Sequence, residues 1–215
     1  MSPPRLKLTE IFLSIQGEAD SVGWPTVFVR LTGCPLRCQY CDTAYAFHGG
    51  EWHSLDQILD KVASFGARHV CVTGGEPLAQ KSCLELMQRL CDAGYHVSLE
   101  TSGAMDIGGV DPRVTRVVDV KTPASGELER NRYENLDRMR VDEQVKFVIC
   151  SREDFEWSRD LVKQQSLHER CTVLFSPSYR QVEPRDLAQW ILDERLPVRL
   201  QVQLHKYLWG DAPGR

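Results

Sequence analysis

Residues 26–42 read Thr-Val-Phe-Val-Arg-Leu-Thr-Gly-Cys-Pro-Leu-Arg-Cys-Gln-Tyr-Cys-Asp. Thr26 to Leu31 are apolar and β-branched, as in a buried strand, and that strand runs straight into a loop holding three cysteines. Six further runs repeat the pattern, at His69–Val72, His96–Glu100, Arg116–Val120, Gln144–Cys150, Thr172–Phe175 and Val198–Val202. Helical spacing separates them. Ser54 reads as an N-cap before Leu55, Ile58, Leu59, Val62 and Phe65, with Gly66 as the stop. Further helices are predicted over Cys83–Ala93, Arg152–Leu167 and Pro184–Glu194, where Pro184 suits a first turn. Such βα alternation demands a parallel sheet with right-handed crossovers, either doubly wound or barrel-like. Six or seven strands fall short of a closed eight-stranded barrel. The predicted fold is therefore α/β, a partial (open) TIM-like barrel of about six to seven parallel strands. No repeat, low-complexity tract or linker divides residues 1–215, so one domain is expected.

The segments after the strands are polar or rich in Gly and Pro. The cysteine loop follows the first, Thr73-Gly74-Gly75-Glu76-Pro77 the second and Glu100-Thr101-Ser102-Gly103 the third. Lys121-Thr122-Pro123, Ser176-Pro177-Ser178 and Gln203-Leu204-His205-Lys206-Tyr207 continue the series. In parallel α/β folds these strand ends share one rim, where active sites lie. Half a dozen loops are expected to converge there.

Cys34, Cys38 and Cys41 are spaced C-x3-C-x2-C, close enough to turn toward one metal centre. Electron-transfer clusters usually take four cysteines and structural zinc four protein ligands, whereas three leave an open position that suits catalysis. The rival readings are a zinc site completed by His48 or His53, whose offsets depart from finger spacing, and a disulfide. The other cysteines, Cys71, Cys83, Cys91, Cys150 and Cys171, fall in predicted strands or helices and read as buried small hydrophobes.

Composition narrows the setting. With 42% hydrophobic and 26% charged residues and a formal charge of −4, the chain has no excess of positive charge for a phosphate backbone or an anionic membrane. Nucleic acid and membrane are not expected partners. No apolar run has the length of a signal-peptide core or a membrane span, so a cytoplasmic protein is expected, where clustered thiols bind metal more often than they pair.

The cysteine loop resembles the signature of the radical S-adenosylmethionine superfamily, C-x3-C-x-Φ-C with an aromatic Φ, here Tyr40. Thr73 to Pro77, one βα unit later, resembles the superfamily's second motif, GGEP. The resemblance implies a radical SAM core in which Cys34, Cys38 and Cys41 hold a 4Fe-4S cluster. Its open iron binds S-adenosylmethionine, reductive cleavage of which yields a radical that abstracts hydrogen. Tyr40, Cys41, Asp42 and Gly75 would line the cofactor site, joined by Lys121 and by Ser176 to Ser178. Residues 119–123, Asp-Val-Lys-Thr-Pro, depart from the S-P-K of other members.

Two further stretches resemble the ends of 7-carboxy-7-deazaguanine synthases. Glu10-Ile11-Phe12-Leu13-Ser14-Ile15-Gln16-Gly17-Glu18 is similar to EIF-x-T-x-QGEG, with Ser14 and Ala19 as departures, and Gln203 to Leu208 to QTHKYL. The likeness runs from Glu10 to Leu208. It implies a lyase converting 6-carboxy-5,6,7,8-tetrahydropterin to 7-carboxy-7-deazaguanine with loss of ammonia, toward queuosine and other 7-deazapurines. Ile15, Gln16, Gly17, Thr73 and His205 would contact the pterin, Arg30 its carboxylate, and Thr43 a Mg2+ ion. A flavodoxin or ferredoxin donor and a homodimer are implied too. Some members end soon after the last motif and use the terminal carboxylate; here Trp209 to Arg215 follow, and Asp211 is the expected substitute. The alternatives are a glycyl-radical-enzyme activating enzyme, small members of which lack both end motifs, and a metal-binding or electron-transfer module without turnover.

Overall fold

The computed structural model describes residues 3–210, 212 and 214; Asp211 lies outside them. The strands are β1 (Arg5–Ile15), β2 (Pro25–Leu31), β3 (Glu51–Ser54), β4 (His69–Gly74), β5 (His96–Thr101), β6 (Thr115–Val120), β7 (Gln144–Ile149), β8 (Thr172–Pro177) and β9 (Arg199–Leu200). They form one sheet in the order β3-β1-β2-β4-β5-β6-β7-β8-β9. Every pair from β2 onward is parallel, giving the seven parallel strands expected, and the sheet ends at β9 without closing on itself. This is an open, partial barrel.

The helices are α1 (Leu55–Ala63), α2 (Cys83–Asp92), α3 (Arg152–Gln164), α4 (Leu167–Arg170), α5 (Pro184–Asp193) and α6 (Leu204–Trp209). Helix α1 starts at a capping box: the Gln57 amide N–H donates to the Ser54 hydroxyl, and the Ser54 N–H to the Gln57 side chain. Its Leu55, Ile58 and Val62 pack on the sheet, as do Leu86, Met87 and Leu90 of α2 and Phe155 and Val162 of α3. Each such side chain taken out of water contributes about 1.5–3 kcal/mol.

Strand alternation then divides the residues. Val27 and Val29, Val70 and Val72, Leu99, Val118, Val145 and Phe147 lie in the core under the helices. Their neighbours in sequence, Phe28 and Arg30, Thr73, Glu100, Asp119 and Lys146, line a cavity inside the barrel. One period-two pattern builds both core and site.

The sequence expectation needs correcting in several places. β1 and β3 were not anticipated: they pair antiparallel to β2 and to β1, with Leu6 and Leu8 of β1 buried between polar neighbours. The predicted third helix breaks at Ser166, whose φ of 47° is left-handed, before the short α4. The segment from Gln203 is a helix rather than a loop, and β9 holds two residues. Cys71, Cys83 and Cys171 are buried as expected, but Cys91 and Cys150 are half-buried, and Cys171 precedes β8. Among the described residues no helix is long and apolar enough to cross a membrane.

Candidate active site

The rim loops converge on a cavity of about 350 Å3. Its cofactor side is assembled by backbone. The Gly75 N–H donates to Leu31 O (3.1 Å) and the Glu76 N–H to Gly33 O (2.8 Å), laying the Gly74–Glu76 turn against the root of the cysteine loop. Gly74 has φ +148°, and a Cβ on Gly75 would stand 2.1 Å from Gly33 O and 2.8 Å from Cys34 Cβ. Only glycine permits that approach. Glu76 does not face the cavity. Fully buried, it accepts from Leu78 N, from Thr101 Oγ1 (2.8 Å) and from the N–H and hydroxyl of Ser102, stitching the β4 loop to the β5 loop. Four donors on one carboxylate justify burying it.

Cys34, Cys38 and Cys41 all line the cavity. The Cys41 N–H donates to Cys38 O (3.2 Å), and Arg37 donates to Cys34 O and Leu36 O while lying 4.3 Å over the Phe47 ring. Burial raises all three thiols, Cys38 to about 11. Among the described residues no three His, Cys, Asp or Glu side chains are grouped to hold a single ion. The thiolates of a 4Fe-4S cluster bind different irons, so a cavity-facing set of three fits the cluster better than zinc. His48 and His53 do not line the cavity, and the zinc reading loses its fourth ligand.

Tyr40, Asp42, Thr43 and Lys121 also face the cavity. Lys121 lies 5.9 Å over the Tyr40 ring, and the buried Tyr40 hydroxyl has no partner among the described residues. Thr43 Oγ1 donates to Asp42 Oδ1 (2.8 Å). Partial desolvation at the cavity mouth favours the neutral Asp42 carboxyl, but that hydrogen bond and the Lys206 charge (3.7 Å) prevail and lower its pKa. An ionised carboxylate beside a hydroxyl oxygen is a hard donor set of the kind Mg2+ takes. Ser176 is the exception among the expected residues. β8 runs past its apolar stretch to Pro177, so Ser176 is still buried in the strand, and Ser178 is the serine that reaches the cavity.

The opposite side comes from both chain ends. Glu10 Oε1 accepts from Arg30 Nε (2.7 Å) and from Tyr45 Oη (2.8 Å), while the terminal nitrogens of Arg30 have no acceptor among the described residues. Phe12 and Phe28 stack at 5.0 Å beside them. Gln16 turns its Oε1 back to the N–H groups of Gly17 and Glu18 and gives Nε2 to Glu100 (3.3 Å). A Cβ on Gly17 would lie 2.2 Å from His205 Nδ1, so this glycine seats the imidazole, and the Leu204 N–H donates to Gly17 O. Burial lowers the His205 pKa, favouring the neutral ring. Ile15 and Thr73 complete the expected set, and Thr73 Oγ1 donates to Glu100 Oε2 (3.4 Å).

Between the two sides lies a charged floor of which sequence reading named Lys121 but not Glu100, Asp119 or Lys146 as site residues. Lys146 Nζ contacts Glu18 Oε2 at 2.8 Å and Asp119 Oδ1 at 3.3 Å, and Lys121 Nζ meets Asp119 Oδ2 at 2.8 Å. Burial opposes the Asp119 charge, but the two lysines outweigh it and lower the pKa. Glu100, which takes long bonds from Gln16 and Thr73 and also meets the buried Cys71 thiol, is raised by burial. The signal was a charge inside an otherwise apolar strand: Val-Val-Asp119-Val, Val-Lys146-Phe, Leu-Glu100-Thr.

An open parallel barrel with three cysteines and a two-glycine turn on its rim defines a radical SAM protein, and residues 28–117 match the model of the Radical SAM superfamily. Membership implies a 4Fe-4S cluster used with S-adenosylmethionine. Over 214 residues the chain is 44% identical to the 7-carboxy-7-deazaguanine synthase of Chlorobaculum tepidum, covering 97% of each protein. It is 42% identical to that of Koribacter versatilis, covering 95% of this chain and 97% of the relative. The chain belongs to the 7-carboxy-7-deazaguanine synthase family. The crystal structure of QueE from Escherichia coli shares the fold, with a TM-score of 0.72 over 94% of this chain and 95% of that one, at 24% identity.

Proposed function

We propose that this cavity converts 6-carboxy-5,6,7,8-tetrahydropterin to 7-carboxy-7-deazaguanine with loss of ammonia. One observation carries the reading: the three thiols and the Gly74–Gly75 turn share a single cavity with Gln16, Gly17, Arg30 and His205. When bound, the cluster and S-adenosylmethionine supply reductive cleavage and hydrogen-atom abstraction.

Cys34, Cys38 and Cys41 hold the cluster, and Tyr40, Asp42, Gly75, Lys121 and Ser178 line the adenosylmethionine side. Thr43, beside ionised Asp42, holds Mg2+. Arg30, its Nε fixed by Glu10, offers its terminal nitrogens to the substrate carboxylate. The stacked Phe12 and Phe28 give the pterin a flat apolar wall. The carboxylates of Glu18 and Glu100 are acceptors for its N–H edge, and Glu100, raised by burial, can hold a proton at its Oε. Ile15, Gln16, Gly17, Thr73 and His205 fix the ring between them, with α6 bringing His205 and Lys206 to the cavity wall. A reduced flavodoxin or ferredoxin is the electron donor, and the enzyme works as a homodimer.

The test is anaerobic cluster reconstitution followed by turnover with the carboxypterin, S-adenosylmethionine, reductant and Mg2+, with mass analysis of the product. The deazaguanine carboxylate is expected. No product from enzyme with a full iron complement overturns the reading, and 5'-deoxyadenosine release that depends on a protein partner favours a glycyl-radical activase.

A further inference from the structure

Five side chains form a continuous row across the cavity floor. Gln203 Nε2 donates to Glu18 Oε1 (2.9 Å), Lys146 bridges Glu18 Oε2 to Asp119 Oδ1, and Asp119 Oδ2 takes Lys121. The residues come from the C-terminal segment, the β1–β2 loop, β7, β6 and the loop directly after β6, and all five line the cavity. Each carboxylate is divided, one oxygen per neighbour, so neither can improve one contact without weakening the other. The two ends of the row differ in what they touch. Glu18 adjoins Gln16 and Gly17 on the pterin side, while Lys121 lies over Tyr40 on the adenosylmethionine side.

We infer that Lys146 is a positioning residue that couples the two ligands, by bridging Glu18 and Asp119 so that occupancy of either side shifts the geometry of the other. Nζ has two carboxylate partners, and removing it leaves the Glu18 and Asp119 side chains without their shared cation. A pterin N–H that takes up Glu18 density loosens Glu18 from Lys146, which then tightens on Asp119 and frees Lys121 toward the cofactor. By linkage the effect is reciprocal: each ligand alters the other's affinity by the same factor.

The inference rests on the proposed substrate, and the experiment separates the two. Reconstituted enzyme is titrated anaerobically by calorimetry with S-adenosylmethionine alone, with the carboxypterin alone, and with each while the other is saturating. In the wild type each ligand is expected to tighten the other by about ten-fold, within the usual span of coupling. In Lys146→Met, which keeps length and removes charge, the factor falls by at least about five-fold, and Lys146→Arg restores most of it. A Lys146→Met enzyme with wild-type iron content, melting temperature and coupling factor overturns the inference. Independent binding in the wild type overturns it without any variant. Failure of the wild type to bind the carboxypterin at all instead sinks the proposed substrate.

Discussion

The cysteine side and the charged floor of one cavity are built in opposite ways. The cysteine side is made from two contiguous stretches, residues 33–42 and 73–77, whose backbones bond to each other and to the end of β2. The floor is made from single side chains at positions 18, 100, 119 and 146, contributed by a loop and three strands. A contiguous motif tolerates no change of shape, because its contacts are main-chain and close. A floor assembled from distant side chains tolerates shape change but not change of charge. Glycine and cysteine variants should therefore fail by losing the cofactor, and floor variants by losing affinity or gaining stability.

The largest effect expected is on the cysteine side. Replacing Cys34, Cys38 or Cys41 by Ala should abolish turnover and strip the iron while leaving the melting temperature within a few degrees, because these thiols are rim groups rather than core. Iron content, visible absorbance and a melt check this together; a variant that keeps a full cluster breaks the assignment. Gly75→Ala comes next. Its Cβ would press on Gly33 O, and displacing that loop should cost about 1–3 kcal/mol of stability. S-adenosylmethionine binding should weaken by about 10–100-fold, equivalent to about 1.4–2.8 kcal/mol. Wild-type cofactor affinity in this variant would show that the turn does not frame the site.

A smaller loss is expected where the C-terminal helix meets the other chain end. His205→Ala vacates the space against Gly17 and should raise KM for the carboxypterin by about ten-fold with kcat little changed, the pattern of lost uniform binding. A fall in kcat at constant KM would instead place His205 in the chemistry.

The same contrast explains what the sequence disclosed. Cys34 to Cys41 and Gly74 to Pro77 are legible because local spacing carries their meaning, and the parallel strands because their apolar runs are buried on the helix side. Asp119 and Lys146 each stand as a charge within an apolar strand, which is a signal in the sequence, but which of those charges meet on one floor depends on strand register, and that belongs to the fold. β1 was legible in principle: Leu6 and Leu8 alternate with Arg5, Lys7 and Thr9. Glu76 marks the limit of a motif. It belongs to the same run as Gly75, yet its carboxylate is spent on Thr101 and Ser102, so membership of a motif does not reveal which way a side chain points. Ser176 failed likewise, because strand length decides which serine reaches the rim.

The smallest effect has the opposite sign and is the sharpest test of the floor. Burial raises the Glu100 carboxyl above its ordinary 4.5, and Lys146 only partly offsets this. A raised folded-state pKa gives stability that is complete below the unfolded value and is lost as pH climbs from 4.5 toward the folded value. Above that window the ionised carboxylate burdens the ligand-free fold. Glu100→Gln keeps the shape, accepts from Gln16 and donates to Thr73 Oγ1 in place of accepting from it, but never ionises, so it should melt higher than wild type at pH 7.5 and no higher at pH 4.5. Each kcal/mol relieved is worth roughly 2–4 °C in a chain of this size. Carboxypterin affinity should fall in the same variant, since the acceptor for the pterin N–H edge is weakened. Stability gained and binding lost together are what a floor organised for a ligand requires. Equal melting at both pH values, or unchanged binding, would make Glu100 a satisfied buried group like Glu76 and erase the distinction between the two sides of the cavity.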